Sequence, residues 1–372
     1  MKNKRWLRSV AFILVLCIAV VGVMQCYTLP KNHNSRVLNS FEALPDNVLD
    51  GVVIGSSVIA HGWVSAVAME RHGLALWNIG TSIQAFGAIP GYIEYAMKNH
   101  DIKYVVIDVH SLRKQLLLTT VYPSKIKVTN QNVPDLEARF KMLDYIFGYA
   151  ERMYDFYGYP KNEDNILRRD DLSLYLPIVG FHNRWVEGLK KADFVDVENP
   201  YLAANDLENT AFKVWDMTDR VKNLDFDGTV EIDDFQKNEL DLLFSFIEEK
   251  GLKAIFINTP SFKDIELQQD LSSIIAYCAE KGYDTIDFST REMLEKAGFD
   301  PAMDFCDEGH VNLLGAEKLT DYICRYVIDN GYYSEDRRGQ AGYEFWEEGS
   351  KKYRDYFIKG WKNKGIDVET DV

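Results

Sequence analysis

The chain has 372 residues, 47% of them hydrophobic and 13% aromatic, which supplies a large packed core and excludes a disordered chain. With 57 acidic against 42 basic side chains its formal charge is −15, which argues against a nucleic-acid partner and the basic face it would need. Five scattered cysteines without CxxC spacing indicate neither a disulfide framework nor a zinc site.

Lys2, Lys4, Arg5 and Arg8 precede an apolar run over residues 10–24. A basic flank before such a run predicts a signal anchor over 1–27, with the basic end in the cytoplasm and the rest of the chain outside the cell membrane. Residues 23–27 (Val-Met-Gln-Cys-Tyr) are too bulky for a small-x-small cleavage site, and Gln25 is a poor residue before a lipidated Cys26. An uncleaved transmembrane helix is therefore preferred to a cleaved signal peptide and secretion. Residues 28–48, polar with Pro30 and Pro45, read as a juxtamembrane spacer.

Residues 49–333 read as one α/β domain. The unalternating apolar run at 52–54 suits a parallel strand buried on both faces, and 58–73 has helical spacing. A strand over 74–79, a helix over about 90–99 and a strand over 103–109 follow. Strand-helix steps in this order predict a three-layer α/β/α, doubly wound parallel sheet. Residues 112–232 are less regular and read as a largely helical insertion over the C-terminal edge of the sheet. Its aromatic stretch at 145–159, with Trp185 and Trp215, suits cap packing better than a sugar-stacking platform, which stays open. Then come a helix over 234–250, strands over 253–258 and 284–288, and a last helix over 313–327 with Asn312 as its N-cap. The tail over 334–372 is charged and aromatic, with no evident role in the sheet.

Two short stretches carry the chemistry. Val52-Val53-Ile54-Gly55-Ser56-Ser57 is a strand ending abruptly in a hydroxyl, and Asp307-Glu308-Gly309-His310 places a carboxylate three residues before an imidazole. A serine hydroxyl is a weak nucleophile until a base takes its proton, and imidazole is the side chain that titrates near neutral pH. Ser57 is thus the candidate nucleophile, His310 the base and Asp307 its orienter. His61 and His72 read as structural or exposed. Cys306, beside Asp307, reads as a small buried hydrophobe, although its oxidation would disturb the site. There is no HExxH, P-loop or GxGxxG stretch, and no cofactor or metal is expected.

These blocks resemble those of the SGNH (GDSL-type) serine hydrolases. Gly55-Ser56-Ser57 is similar to the nucleophile block, normally Gly-Asp-Ser, in the form found in membrane-anchored members concerned with teichoic-acid D-alanyl transfer. Asp307-x-x-His310 matches the last block, and Gly315 and Lys318 resemble the residues just beyond that block. The resemblance covers about 50–111 and 236–330. It implies oxyanion donors at the N–H groups of Ser57 and Gly80, and a third from an Asn after the third strand. Here that place holds Asp108, His110 or Ser111 and no Asn, with His110 as a substitute donor. It further implies an esterase or O-acyltransferase acting on O-acetyl or D-alanyl esters of an acylated polysaccharide or other envelope polymer, and leaves room for a membrane-bound acyltransferase partner. The alternative expectation is a catalytically silent anchored protein that binds glycan or scaffolds an envelope assembly.

Overall fold

A computed structural model describes residues 2–28, 33–159, 165–176, 179, 186, 210–222, 224, 230–263, 265–332 and 335–368. Trp185, much of the second half of the insertion, and the side chains at 23–30 lie outside the described residues.

Five strands form one parallel sheet: β1 (Gly51–Ile54), β2 (Leu76–Asn78), β3 (Tyr104–Asp108), β4 (Lys253–Asn258) and β5 (Asp284–Asp287). Their order is β2-β1-β3-β4-β5. All residues of β1 and β3 are buried, as expected of apolar strands covered on both faces. The order reverses between β1 and β3, so their C-terminal ends flank the crevice where open α/β sheets bind ligands.

Helices cover both faces, consistent with three α/β/α layers. After α1 (Lys2–Thr28) and α2 (His33–Glu42), one layer begins with α3 (Ser57–Gly62) and α4 (Ser65–His72). The predicted single helix over 58–73 is thus two. The chain turns extended at Trp63 (φ −116°, ψ 132°), where the indole is buried and Val64 N–H donates to Thr320 Oγ1 at 2.9 Å. The other layer contains α5 (Ile89–Asn99). Short helices α6 (Leu117–Thr120) and α7 (Pro123–Thr129) then lead to α8 (Leu136–Tyr157), α9 (Leu172–Tyr175) and α10 (Thr218–Val221).

The aromatic stretch predicted as a cap lies mostly in α8, which joins the helical layer beside α5. A Cβ on Gly91 would lie 2.9 Å from Met142 Cα, so only glycine allows this approach of the two helices. Tyr149 and Phe147 are buried in the packing, while Phe156 is exposed.

The further helices among the described residues are α11 (Asp234–Glu249), α12 (Ile265–Glu280), α13 (Arg291–Lys296), α14 (Leu313–Asp329) and α15 (Glu344–Asn363). An antiparallel pair, β6 (Phe305–Asp307) and β7 (His310–Val311), stands where a catalytic loop was expected.

Two segments read as peripheral are packed parts of the molecule. The spacer contains α2, whose Leu38 and Phe41 are buried and whose Asn34 accepts from Ser82 N–H (2.8 Å) and donates to Val128 O (3.3 Å). The tail contains α15, which lies against α4 and buries Trp346 on Trp77, Tyr353 on Glu317 and Trp361 on Phe212. Arg337, ahead of α15, pairs with Asp50 at 2.6 Å at the foot of β1.

At the N-terminus, α1 is continuous over 27 residues, and Phe12, Ile13, Leu14, Val15, Leu16 and Ile18 are 50–68% exposed. Among the described residues no helix is long and apolar enough to cross a membrane. The side chains of α1 at 2–4, 21 and 23–28 lie outside that set.

Candidate active site

The site forms where β1 delivers Ser57 and the β6–β7 hairpin delivers Asp307 and His310. Gly55 leaves β1 at φ 155°, and a Cβ there would lie 2.6 Å from Asp108 Cβ and 2.8 Å from Ile59 Cγ2. Glycine alone permits this exit against β3. Ser56 then takes the N-cap position (φ −80°, ψ −168°) and Ser57 opens α3. The Ser57 N–H thereby falls in the first turn, where backbone donors have no acceptor within the helix.

On the hairpin, Asp307 stands opposite His310. Gly309 N–H donates to Asp307 Oδ1 at 2.7 Å, and His310 Nδ1 lies 3.0 and 3.2 Å from Asp307 Oδ1 and Oδ2. His310 Nε2 lies 2.9 Å from Ser57 Oγ, although the two residues are 253 positions apart. An ionised carboxylate can only accept, so the proton between Asp307 and His310 sits on Nδ1, which leaves Nε2 facing the Ser57 hydroxyl and able to accept from it whenever Nε2 carries no proton. That is the tautomer a general base requires. Burial pushes the Asp307 carboxyl up, but the hydrogen bond and charge of His310, the Gly309 N–H and the Lys263 charge outweigh it. The net result holds Asp307 well below the usual carboxylate range, ionised beside its imidazole.

Neighbouring segments fix the hairpin. Phe262 N–H donates to Glu308 O at 2.7 Å, and Trp215 N–H donates to Phe305 O at 2.8 Å. The Arg220 guanidinium donates to Phe262 O (3.0 Å), to Lys263 O (2.9 Å) and to the Glu308 carboxylate. Asn312 caps α14 as its position predicted, accepting from Leu314 N–H at 2.9 Å and Gly315 N–H at 3.3 Å. Its amide also donates to Lys213 O at 3.0 Å and Met303 O at 2.6 Å. The insertion therefore braces the β6–β7 hairpin through residues 213–220 rather than only covering the sheet.

The expected oxyanion donors are arranged differently. Gly80 N–H donates to Asn78 Oδ1 at 2.8 Å, and Thr81 N–H donates to Gly55 O at 3.0 Å. His110 is fully buried, with Nδ1 3.0 Å from Asp108 Oδ1. Burial lowers its pKa, the Asp108 carboxylate opposing, and keeps the ring neutral. With Nδ1–H given to Asp108, the unpartnered Nε2 is an acceptor and cannot donate to an oxyanion. Neither Gly80 nor His110 presents a free donor in this arrangement. Asp108 only accepts, from Thr259 Oγ1 at 2.9 Å and Ser56 Oγ at 3.4 Å. Ser111, whose buried hydroxyl has no partner among the described residues, is the one of the three alternatives with a donor to give.

The sequence leaves His61 structural or exposed. It is 2% exposed, and its ring centroid lies 4.8 Å from that of His310. The signal was its place four residues after Ser57 on one helix. His72 instead pairs with Asp321 at 2.8 Å, between α4 and α14. Cys306 is buried, and burial together with the Asp307 charge pushes its thiol up to about 12, matching the reading of a small buried hydrophobe. Arg220 and Lys263 carried no sequence signal, because each acts through contacts made across the fold.

A cavity of about 400 Å³ lies elsewhere, between α4 and α15, and its lining includes none of Ser57, Asp307 and His310. Among the described residues no group of three or more His, Cys, Asp or Glu is arranged to hold a metal ion. No protein-family model matches this chain, and a search of curated proteins finds no match.

Proposed function

We propose that the chain is a serine esterase or O-acyltransferase working through an acyl-enzyme on Ser57. The observation that carries this reading is the line Asp307–His310–Ser57, with contacts of 3.0 and 2.9 Å and the base tautomer fixed by the carboxylate. Ser57 Oγ attacks the ester carbonyl while its proton passes to His310 Nε2. The tetrahedral intermediate expels the alcohol, which takes that proton from the imidazolium, and the acyl group stays on Ser57. Water or a sugar hydroxyl then gives a proton to His310 and attacks, releasing acid or a new ester. The Ser57 N–H would stabilise the oxyanion.

The resemblance to SGNH hydrolases supports a three-layer domain of that type and an envelope polymer carrying O-acetyl or D-alanyl esters as substrate. The basic residues before the apolar run, and the apolar side chains that α1 leaves exposed, support a membrane-anchored position outside the cytoplasm. A second reading, a silent glycan-binding or scaffold protein, is favoured by one observation: the Gly80 N–H and the His110 Nε2 offer no oxyanion donor.

A stopped-flow assay with p-nitrophenyl acetate separates the two. An acyl-enzyme predicts a burst of nitrophenol stoichiometric with protein, absent in Ser57→Ala. No burst, or an equal burst in Ser57→Ala, would leave the binding reading.

A further inference from the structure

We propose that His61 is a positioning residue for His310, holding the catalytic imidazole flat in the line between Asp307 and Ser57. The proposal rests on the acyl-enzyme reading for its rate measurement but not for its structural one.

Two hydrogen bonds hold His310, one at each ring nitrogen, to Asp307 and to Ser57. Bonds at opposite ends of a ring leave it free to tip about the line joining them, so its tilt must be set by packing against its faces. His61 supplies one such contact: the ring centroids are 4.8 Å apart and the planes are inclined by 36°. This falls within the offset range that ring pairs favour.

The backbone places the contact with little freedom. Ser57 and His61 occupy positions i and i+4 of α3, one above the other on the same helix face. Nucleophile and ring support therefore move as one body. α3 is itself packed against β7, which carries His310, and against α14. His61 is 2% exposed, whereas the His310 side chain is 18% exposed, so the support is buried beneath a base that reaches solvent. A tipped imidazole would lengthen the contact to Ser57 Oγ, and small misplacements of this kind cost up to about 100-fold in rate.

The test uses the full-length protein and three forms: wild type, His61→Ala and His61→Phe. Inactivation by a fluorophosphonate yields a maximal rate and a half-saturating concentration for Ser57. Proton NMR of ¹⁵N-histidine-labelled protein reports the low-field Nδ1–H of His310, and thermal unfolding reports the fold. His61→Ala is expected to lower the maximal rate by about 10- to 100-fold with the half-saturating concentration unchanged, and to broaden the Nδ1–H resonance. His61→Phe, which restores a flat ring, is expected to return both toward wild type. If it does not fold, His61→Ala alone decides. A folded His61→Ala that reacts at the wild-type rate with a sharp Nδ1–H resonance overturns the proposal, leaving His61 as core packing. If wild type does not react at all, the acyl-enzyme reading fails and the NMR comparison still decides the role of His61.

Discussion

In the proposed mechanism each group of the line Ser57–His310–Asp307 has one duty in proton transfer, which its contacts suit: hydroxyl donor, imidazole acceptor, carboxylate orienter. Asp307 performs its part only while ionised, and its pKa is depressed below the ordinary carboxylate range. A group depressed in the folded state stabilises the fold above its unfolded pKa and loses that contribution as pH falls through the folded value. The stability difference between wild type and Asp307→Asn, read from urea midpoints, should therefore be full at neutral pH and shrink on acidification below about pH 4. A difference independent of pH would mean that Asp307 is not held ionised by His310. Ser57, His310 and Asp307 were legible in sequence because their residue types and short spacings are dictated by the chemistry. Gly80 and His110 were not read correctly as donors, since a free N–H depends on what else it meets, here Asn78 Oδ1 and the Asp108 carboxylate.

The strands were legible for a simple reason: an apolar run buried on both faces has no other stable place, and β3 and β4 lie within the predicted spans while β1 begins one residue earlier, at Gly51. Helices with mixed surfaces were harder. In α15, Trp346, Ser350, Tyr353, Phe357 and Trp361 repeat every three to four residues and form the buried face, but charged side chains between them made the tail look peripheral. The helix is bound to the core by Ser350 Oγ donating to Ala66 O at 3.3 Å, by Arg354 pairing with Glu70 at 2.5 Å, and by the Trp77–Trp346 contact at 5.1 Å. Trp346→Ala should therefore cost about 3–5 kcal/mol in denaturant unfolding, as for other fully buried large aromatics. A loss within about 0.5 kcal/mol would mean that α15 is a surface attachment. The break between α3 and α4 was illegible because the acceptor that ends the helix, Thr320, lies 256 residues away.

Taken whole, the molecule uses its topology to close a very long loop. The first strand presents Ser57 at the point where strand order reverses, and the chain returns through β4, β5 and the β6–β7 hairpin to set His310 beside it. The insertion contributes twice, through α8 in the helical layer and through residues 213–220 against the hairpin. This arrangement gives a consequence that requires no knowledge of the substrate: Ser57 should be nucleophilic and every other serine inert. The measurement is mass spectrometry of the full-length protein after reaction with a fluorophosphonate. One adduct per chain on Ser57, absent in His310→Ala, is the predicted result. Folded protein without an adduct, or with an adduct on another serine while Ser57 stays unmodified, would contradict it.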